Sequence, residues 1–155
     1  MDSSDPHDLD RFVEAQSADY TQALAELRAG AKRSHWMWYV FPQFAGLGRS
    51  AMAQRFAVRS LAEAREYLRH PTLGPRLVEC ARAMLDVQGK SAEEILGSID
   101  AIKLRSSATL FAHVTSAGSV FHRILDRYYG GAPDPRTLEL IDASELYGPE
   151  EARTG

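Results

Sequence analysis

The stretch SLAEAREYLRHPTLGPRLVECARAMLDVQGKSAEEI, residues 60–95, decides the fold class. It contains two S-x-x-E pairs, Ser60 with Glu63 and Ser91 with Glu94. This spacing is typical of a capping box, in which the serine and the glutamate each satisfy a free backbone N–H at the start of a helix. The two pairs therefore predict two helix starts within one short part of the chain.

Between these two starts, the sequence predicts a third helix. Thr72 can act as its cap, the helix runs from Leu73 to about Gln88, and Gly89 is a natural stop. The apolar residues of this segment recur with the period of a helix. They are Leu73, Leu77, Cys80, Ala81, Met84 and Leu85.

Helix signals continue toward the N-terminus. Asp8 is placed to cap a helix that begins at Leu9, and the turn-forming residues 17–19 predict a break before a second helix. Gly30 is the predicted end of that second helix.

The C-terminal half has the same character. Ser98 is a predicted cap for a helix that reaches about His113, and Gly130 ends a later amphipathic helix. Asp134 followed by Pro135 predicts the start of a short last helix, which we expect to end at Ile141.

Together these patterns predict an all-α fold, a compact single-domain bundle of about seven or eight short helices. We expect the helical domain to span residues 8–141. Residues 1–7 are predicted to form a flexible tail, and the polar residues 142–155 a second tail.

Composition excludes several classes of function. The chain has 155 residues, of which 45% are hydrophobic, and a net charge of −3, so we expect a single soluble domain without general nucleic-acid binding. Cys80 is the single cysteine, which excludes an internal disulfide and a cysteine-based zinc site. The polar N-terminus is unlike a signal peptide, and no apolar run has the length of a membrane span. We therefore expect a cytoplasmic protein without membrane attachment, and its protein partners stay unknown.

The stretch AKRSHWMWYVFPQF, residues 31–44, contains both tryptophans of the chain. Its composition favours a strand, but a strand would lack a partner here, so we predict a short buried helix from Ser34 to Pro42. Its aromatic residues are predicted to fill mainly the core. The alternative is that one edge faces a cleft, because several side chains have polar atoms that need partners. These side chains are His35, Trp36, Trp38 and Tyr39.

Several segments resemble an uncharacterised bacterial family, domain of unknown function 1810, which has mycobacterial members. The matching strings are DLDRFVEAQ, KRSHWMWYVFPQ, GLGRSAMAQRFA, SLAEAREYLRHPTLGPRLVEC, SIDAIKLRSSATLFA and YYGGAPDPRTLEL. The resemblance implies a compact, mainly helical domain, and it assigns no activity, cofactor or catalytic residue. Some members have a calpastatin-like label, which this composition does not support, because calpastatin is long and disordered.

Two groups of residues near the aromatic stretch are candidates for binding an anion. Glycine loops before a helix expose backbone N–H groups, so the string GLGRS with Arg49 can hold an anion, although a plain turn is the simpler interpretation. Lys32, His35 and Gln43 surround the tryptophans, and Gln16 ends the first predicted helix. Such side chains can bind a phosphate while an indole stacks on a ring; exposed surface charge is the alternative.

A third candidate is the string DAIKLRSS. Asp100 and Lys103 are three residues apart and share one helical face, so they can pair with each other or contact a ligand. The pairing is the simpler interpretation. For the two serines that follow, Ser106 and Ser107, close helix packing is the simpler role.

The histidines indicate no metal site. None of His35, His70, His113 and His122 forms an i, i+4 pair with another. No Walker motif, dinucleotide fingerprint or GxSxG string is present, so we expect no cofactor and no catalytic triad. His35 is the one weak candidate for acid–base catalysis, because imidazole titrates near neutral pH.

Two hypotheses of different class follow, and the sequence leaves open whether the protein is an enzyme. In the first, the domain binds a small anionic or nucleotide-like molecule near SHWMWYVFPQ. Its predicted ligand-binding residues are Gln16, Lys32, His35, Trp36, Trp38, Gln43, Arg49, Asp100 and Lys103. In the second, the domain is a non-catalytic module for protein interaction or homo-oligomerisation. A concave pocket with converging polar groups favours the first, and a flat apolar patch the second.

Overall fold

The computed structural model describes the backbone of residues 5–154 and the side chains of residues 5–146. Nine helices lie within this part of the chain, one or two more than predicted, and the all-α prediction is confirmed. The helices are α1 (Asp10–Ala29), α2 (Met37–Val40), α3 (Ala51–Arg55), α4 (Leu61–Arg69), α5 (Leu73–Asp86), α6 (Ala92–Leu96), α7 (Ser98–His113), α8 (Val120–Tyr129) and α9 (Pro135–Thr154).

Both predicted S-x-x-E pairs open helices. Ser91 Oγ accepts the N–H of Glu94 at 3.1 Å, and Glu94 returns the bond to the Ser91 N–H at 2.8 Å, which completes a capping box. Ser60 Oγ accepts the N–H of Glu63 at 3.0 Å, but the Glu63 carboxylate accepts the N–H of Arg59 instead of that of Ser60. The second half of the predicted box at α4 is therefore displaced by one residue.

α5 begins at Leu73 with Thr72 at the N-cap position, as predicted, but the predicted capping role of the Thr72 side chain is wrong. Thr72 makes no capping bond with its side chain. His70 replaces it, because its Nδ1 accepts the N–H groups of Thr72 and Leu73 at 3.1 and 3.2 Å. The helix ends at Asp86, two residues before the predicted Gln88.

The prediction for the first helix is also wrong in two respects. Asp8 has a left-handed backbone with φ of 51°, and the carboxylate of Asp5 accepts the N–H groups of Leu9 and Asp10 in its place. The predicted break at residues 17–19 does not occur, since α1 is continuous to Gly30. Gly30 is the predicted stop, and its φ of 71° is the conformation in which glycine is favoured.

Predictions for the C-terminal half are closer. Gly130 ends α8 with φ of 62°, and Asp134 Oδ2 accepts the N–H of Thr137 at 2.9 Å at the start of α9. The predicted cap Ser98 is instead the first residue of α7, behind Gly97. The last helix continues past the predicted end at Ile141 to Thr154.

The boundaries of the predicted domain, residues 8–141, stay a prediction. Residues 1–4 of the predicted N-terminal tail and residue 155 of the C-terminal tail lie outside the described residues. Residues 142–154 of that second tail have a helical backbone.

Two long helices organise the packing. α5 contacts α1, α4 and α8, while α7 contacts α6, α8 and α9, so that α8 connects the two groups. The C-terminal half of α7 is buried over a continuous run, residues 106–111. Ser106 and Ser107 stand at the start of this run, and Ser106 Oγ donates to the Ile102 carbonyl at 3.2 Å and to Asp134 Oδ2 at 3.3 Å. The ends of α2, α7 and α9 then surround the region described next.

Candidate functional site

The aromatic stretch forms a shorter helix than predicted. α2 covers Met37–Val40, and Ser34 belongs to a turn that precedes it. The predicted burial is confirmed for most of the segment, because Trp36 is 1% exposed and Phe41 is 2% exposed. The exceptions are His35, which is exposed, and Ser34 and Trp38, which are half-buried. One edge of the segment thus faces away from the core.

Glu26 of α1 holds the start of this segment in place. Its Oε1 accepts the Trp36 indole N–H at 2.9 Å and the backbone N–H groups of Arg33 and Ser34 at 2.8 and 3.0 Å. Burial opposes ionisation of this carboxyl, but the bonds from Ser34, Arg33 and Gln22 prevail and lower the pKa of Glu26 below its ordinary value. Glu26 is absent from the sequence predictions; its signal is an acid at helical spacing among the apolar residues of α1.

The chain between α2 and α4 forms a closed loop, residues 43–58, that carries α3. Its base is an isolated parallel bridge, in which Val58 donates to the Gln43 carbonyl and accepts from Ala45, both at 2.8 Å. Gly46, with φ of 102°, lets the loop lie against α9, since a Cβ there would come within 3.0 Å of Leu140. The predicted turn GLGRS is part of this loop.

A cleft of about 690 Å³, here the main cleft, lies between this loop, α2, α7 and the start of α9. Its floor is apolar and largely aromatic. The floor residues are Met37, Trp38, Phe41, Phe44, Leu47 and Phe56. Its charged lining residues are Arg49, Arg59, Lys103, Asp134 and Arg136.

The charges around the main cleft are mostly positive. Four cations against one carboxylate leave a formal surplus of +3. The carboxylate, Asp134, is occupied at the start of α9, where it accepts bonds from Thr137. Arg136 pairs with Glu139 at 3.3 Å, both exposed, which weakens its contribution. The arrangement favours an anion.

A smaller pocket of about 290 Å³, here the side pocket, adjoins the main cleft. Lys32, His35 and Asp100 line it, and Trp38 and Lys103 line both cavities. The structure thus places seven of the nine predicted ligand-binding residues in two neighbouring cavities, with Gln43 and Arg49 in the main cleft.

Three of these residues form an ion cluster. Lys32 Nζ lies 2.8 Å from one oxygen of Asp100, and Lys103 Nζ lies 3.4 Å from the other. The predicted pairing of Asp100 with Lys103 is confirmed. The interpretation of Lys32 as a surface cation is wrong, because its side chain is 8% exposed. Lys103 Nζ also lies 4.8 Å from the centre of the Trp38 ring.

Two predicted ligand-binding residues lie in the core instead. Gln16 is 2% exposed, and its amide donates to the Tyr39 carbonyl at 2.6 Å and to the Tyr67 hydroxyl at 3.1 Å. The indole of Trp36 is buried and donates to Glu26. Neither residue lines one of the two cavities, because their polar atoms satisfy buried partners.

Two cationic residues of the main cleft, Arg59 and Arg136, are absent from the sequence predictions. Arg59 precedes the cap of α4, and Arg136 is in the first turn of α9. No local pattern connects either of them with the aromatic stretch, so tertiary packing alone brings them to the cleft.

The charged side chains that line the main cleft are suited to binding an anion. Histidine and cysteine are absent from its lining residues, and His35, the weak catalytic candidate, lies in the side pocket. Cys80 is buried in the core, and burial raises the pKa of its thiol to about 12, as expected for a packed cysteine.

Two features are absent from the part of the chain that the structure describes. No group of three or more histidine, cysteine, aspartate or glutamate side chains is placed to hold a metal ion. No described helix combines the length and apolar character that crossing a membrane requires.

Comparisons with known proteins place the chain in a family. The sequence profile of the family described as "Protein of unknown function (DUF1810)" matches residues 6–141, and the chain belongs to this family. The crystal structure of the conserved hypothetical protein Rv1873 from Mycobacterium tuberculosis is similar, with 54% sequence identity and a TM-score of 0.87. The match covers 89% of this chain and 99% of that one. None of the curated proteins matches the chain.

Proposed function

We propose that the domain binds a small molecule with an anionic group and a flat apolar part, and that it binds this molecule in the main cleft. The observation that carries the proposal is a surplus of cations around an aromatic floor. The cleft, at about 690 Å³, has the size of small-molecule sites, which measure about 300–1,000 Å³.

Arg49 and Arg59 are the first candidates for the anion. Both side chains are exposed, and neither has an ion-pair partner among residues 5–146. A guanidinium presents two parallel N–H groups, which pair with the oxygens of a carboxylate or phosphate. Trp38 offers a half-buried indole on which a flat group can stack.

The test is a thermal-shift screen of nucleotides, sugar phosphates and aromatic acids on the wild type, Arg49→Ala and Arg59→Ala. We expect at least one compound to raise the melting temperature of the wild type, because binding to the folded state alone stabilises it. Both variants should lose the shift while keeping the unliganded melting temperature, since their side chains are exposed.

Arg65→Ala is the matched control. Arg65 is an exposed arginine of α4 outside the two cavities, so its removal changes the net charge equally and should leave the shift intact. A panel without any shift in the wild type, or a shift that survives in both cleft variants, refutes the proposal.

A second candidate function is self-association or binding of a protein. Ile99 and Ile102 are 70% and 66% exposed, one turn apart on α7 at the margin of the main cleft. Exposed apolar side chains next to each other are typical of contact surfaces. If this surface joins two copies, sedimentation will show a dimer for the wild type and a monomer for the Ile99→Ser, Ile102→Ser double variant.

A further inference from the structure

We infer that the ligand of the main cleft is a phosphate ester of a planar ring, and that its phosphate takes Lys103 over from Asp100. This inference rests on the proposed function and specifies the class of ligand. It starts from the ion cluster of Lys32, Asp100 and Lys103, which connects the two cavities.

The ion cluster contains more positive than negative charge. Two ammonium groups share one carboxylate, and the side chains of Lys32, Asp100 and Lys103 are 8%, 17% and 24% exposed. Enclosed charges are stable when each has a partner of opposite sign. Here two lysines share one carboxylate, so the cluster has one positive charge in excess. An anion that enters beside the cluster therefore completes it.

Lys103 is the cation that the cluster can release. Its Nζ lies 3.4 Å from Asp100, whereas Lys32 Nζ lies 2.8 Å from the same carboxylate and is the more buried of the two. If Lys103 moves to a ligand, Asp100 keeps Lys32 as its partner. The exchange leaves no buried carboxylate unpaired, which is the costly outcome in an enclosed site.

The position of Lys103 also indicates that the ligand contains a planar ring. Its ammonium lies over the face of Trp38, 4.8 Å from the ring centre, and both residues line the main cleft. A flat ring stacked on this face replaces the ammonium there. The ring of the ligand thus replaces the contact of Lys103 with Trp38, and the anionic group of the ligand gives Lys103 a new partner.

The charge of the main cleft favours a phosphate over a carboxylate as the anionic group of the ligand. Lys103 pairs with Asp100 and Arg136 with Glu139, so Arg49 and Arg59 are the two cations of the main cleft without an ion-pair partner among residues 5–146. Two such cations suit the dianion of a phosphate monoester better than a monoanion. The guanidinium groups of Arg49 and Arg59 match the spacing of phosphate oxygens, and phosphate keeps an oxygen for Lys103.

The experiment compares four probes by isothermal titration calorimetry: phenyl phosphate, benzoate, cyclohexyl phosphate and inorganic phosphate. We expect phenyl phosphate to bind most tightly, by about tenfold over each of the others, which corresponds to about 1.4 kcal/mol. Phenyl phosphate should also quench tryptophan fluorescence in the wild type and not in Trp38→Phe, because Trp36 is buried away from the cleft.

Three variants test the exchange of Lys103. Asp100→Asn removes the competing carboxylate and should tighten phenyl phosphate by about threefold to tenfold, as charge-assisted bonds predict. Lys103→Met and Lys103→Gln should weaken phenyl phosphate by about tenfold while leaving benzoate nearly unchanged. Lys103 is at the cleft margin, so these two variants test the inference even if Asp100→Asn does not fold. Arg65→Ala is again the control for charge.

The outcomes separate the two proposals. If no probe binds the wild type, this inference is refuted, and the proposed function is refuted as well if the thermal-shift panel also gives no shift. If phenyl phosphate binds and Arg49→Ala abolishes binding, but benzoate binds equally well or the Lys103 variants bind like the wild type, the inference alone is overturned. Tighter binding by Asp100→Asn, together with the loss in Lys103→Met, supports both.

Discussion

The carboxylate of Glu26 anchors the segment that forms one wall of the main cleft, and its removal tests that role. Glu26→Ala deletes the acceptor of the Trp36 indole and of two backbone N–H groups. The indole bond is buried, so its donor is left without a partner, which costs about 1–3 kcal/mol. The two backbone groups are partly buried and can bind water instead. We expect Glu26→Ala to lower the free energy of unfolding by about 3 kcal/mol.

Glu26→Gln is the matched variant, because it keeps one carbonyl oxygen at the position of Oε1. It retains an acceptor for the indole and loses the charge, so we expect a loss of about 1 kcal/mol. The measurement is chemical denaturation with unchanged slope, so that a shift of the midpoint reports stability. Equal losses in both variants, or a loss below about 0.5 kcal/mol in Glu26→Ala, would contradict the role of the acceptor.

A double-mutant cycle isolates the indole bond itself. Trp36→Phe removes the donor and keeps most of the buried ring. If Glu26 acts through this bond, the losses of Glu26→Ala and Trp36→Phe will not add, and the coupling will be about 0.5–3 kcal/mol. Additive losses would refute the bond as the anchor of the segment.

Three further predictions concern the titration of Glu26, the two serine caps and Lys32. The pKa of Glu26 in the folded protein lies below its ordinary value of 4.5, so the unfolded chain binds the proton more readily. The stability that ionised Glu26 contributes is therefore complete above pH 4.5 and is lost as the pH falls below it. Glu26→Gln should lack this part of the loss of stability in an acid titration. Ser60→Ala and Ser91→Ala should each cost about 1 kcal/mol in denaturant unfolding, and unchanged midpoints would contradict the caps. Lys32→Ala should cost about 2 kcal/mol, less than the ~3–5 kcal/mol of breaking an isolated buried pair, because Asp100 keeps Lys103; a loss near zero would show that Lys32 behaves as a surface cation.

Local signals in the sequence predicted much of the fold. Ser91, Asp134 and Gly30 act on backbone groups a few residues away, so their effect is encoded in their own neighbourhood. The cap predictions that were wrong also depend on residues close in sequence. At Asp8, the carboxylate of Asp5 accepts the N–H groups of Leu9 and Asp10, and at Thr72 the imidazole of His70 accepts those of Thr72 and Leu73. The residue preference for the cap position takes no account of such neighbouring acceptors.

The candidate site was less predictable, because it depends on contacts between distant parts of the chain. Lys32 and Asp100 are far apart in sequence, and nothing in either neighbourhood indicates their ion pair. The same holds for Arg59 and Arg136, which reach the main cleft only through the packing of α4 and α9. Gln16, in contrast, was predicted to bind a ligand and lies in the core. Its amide bonds to Tyr39 and Tyr67, and no sequence pattern indicates these partners.

The two tryptophans explain why the aromatic stretch allowed two interpretations. Trp36 fills the core and is fixed by Glu26, whereas Trp38, two residues later, is half-buried and lines both cavities. Core packing and cleft formation are thus carried by the same short segment. One residue separates them in the chain, so we expect a change that loosens Trp36 to displace Trp38 as well. Glu26→Ala should therefore weaken a ligand of the main cleft even though Glu26 does not line that cleft, and Arg65→Ala should not.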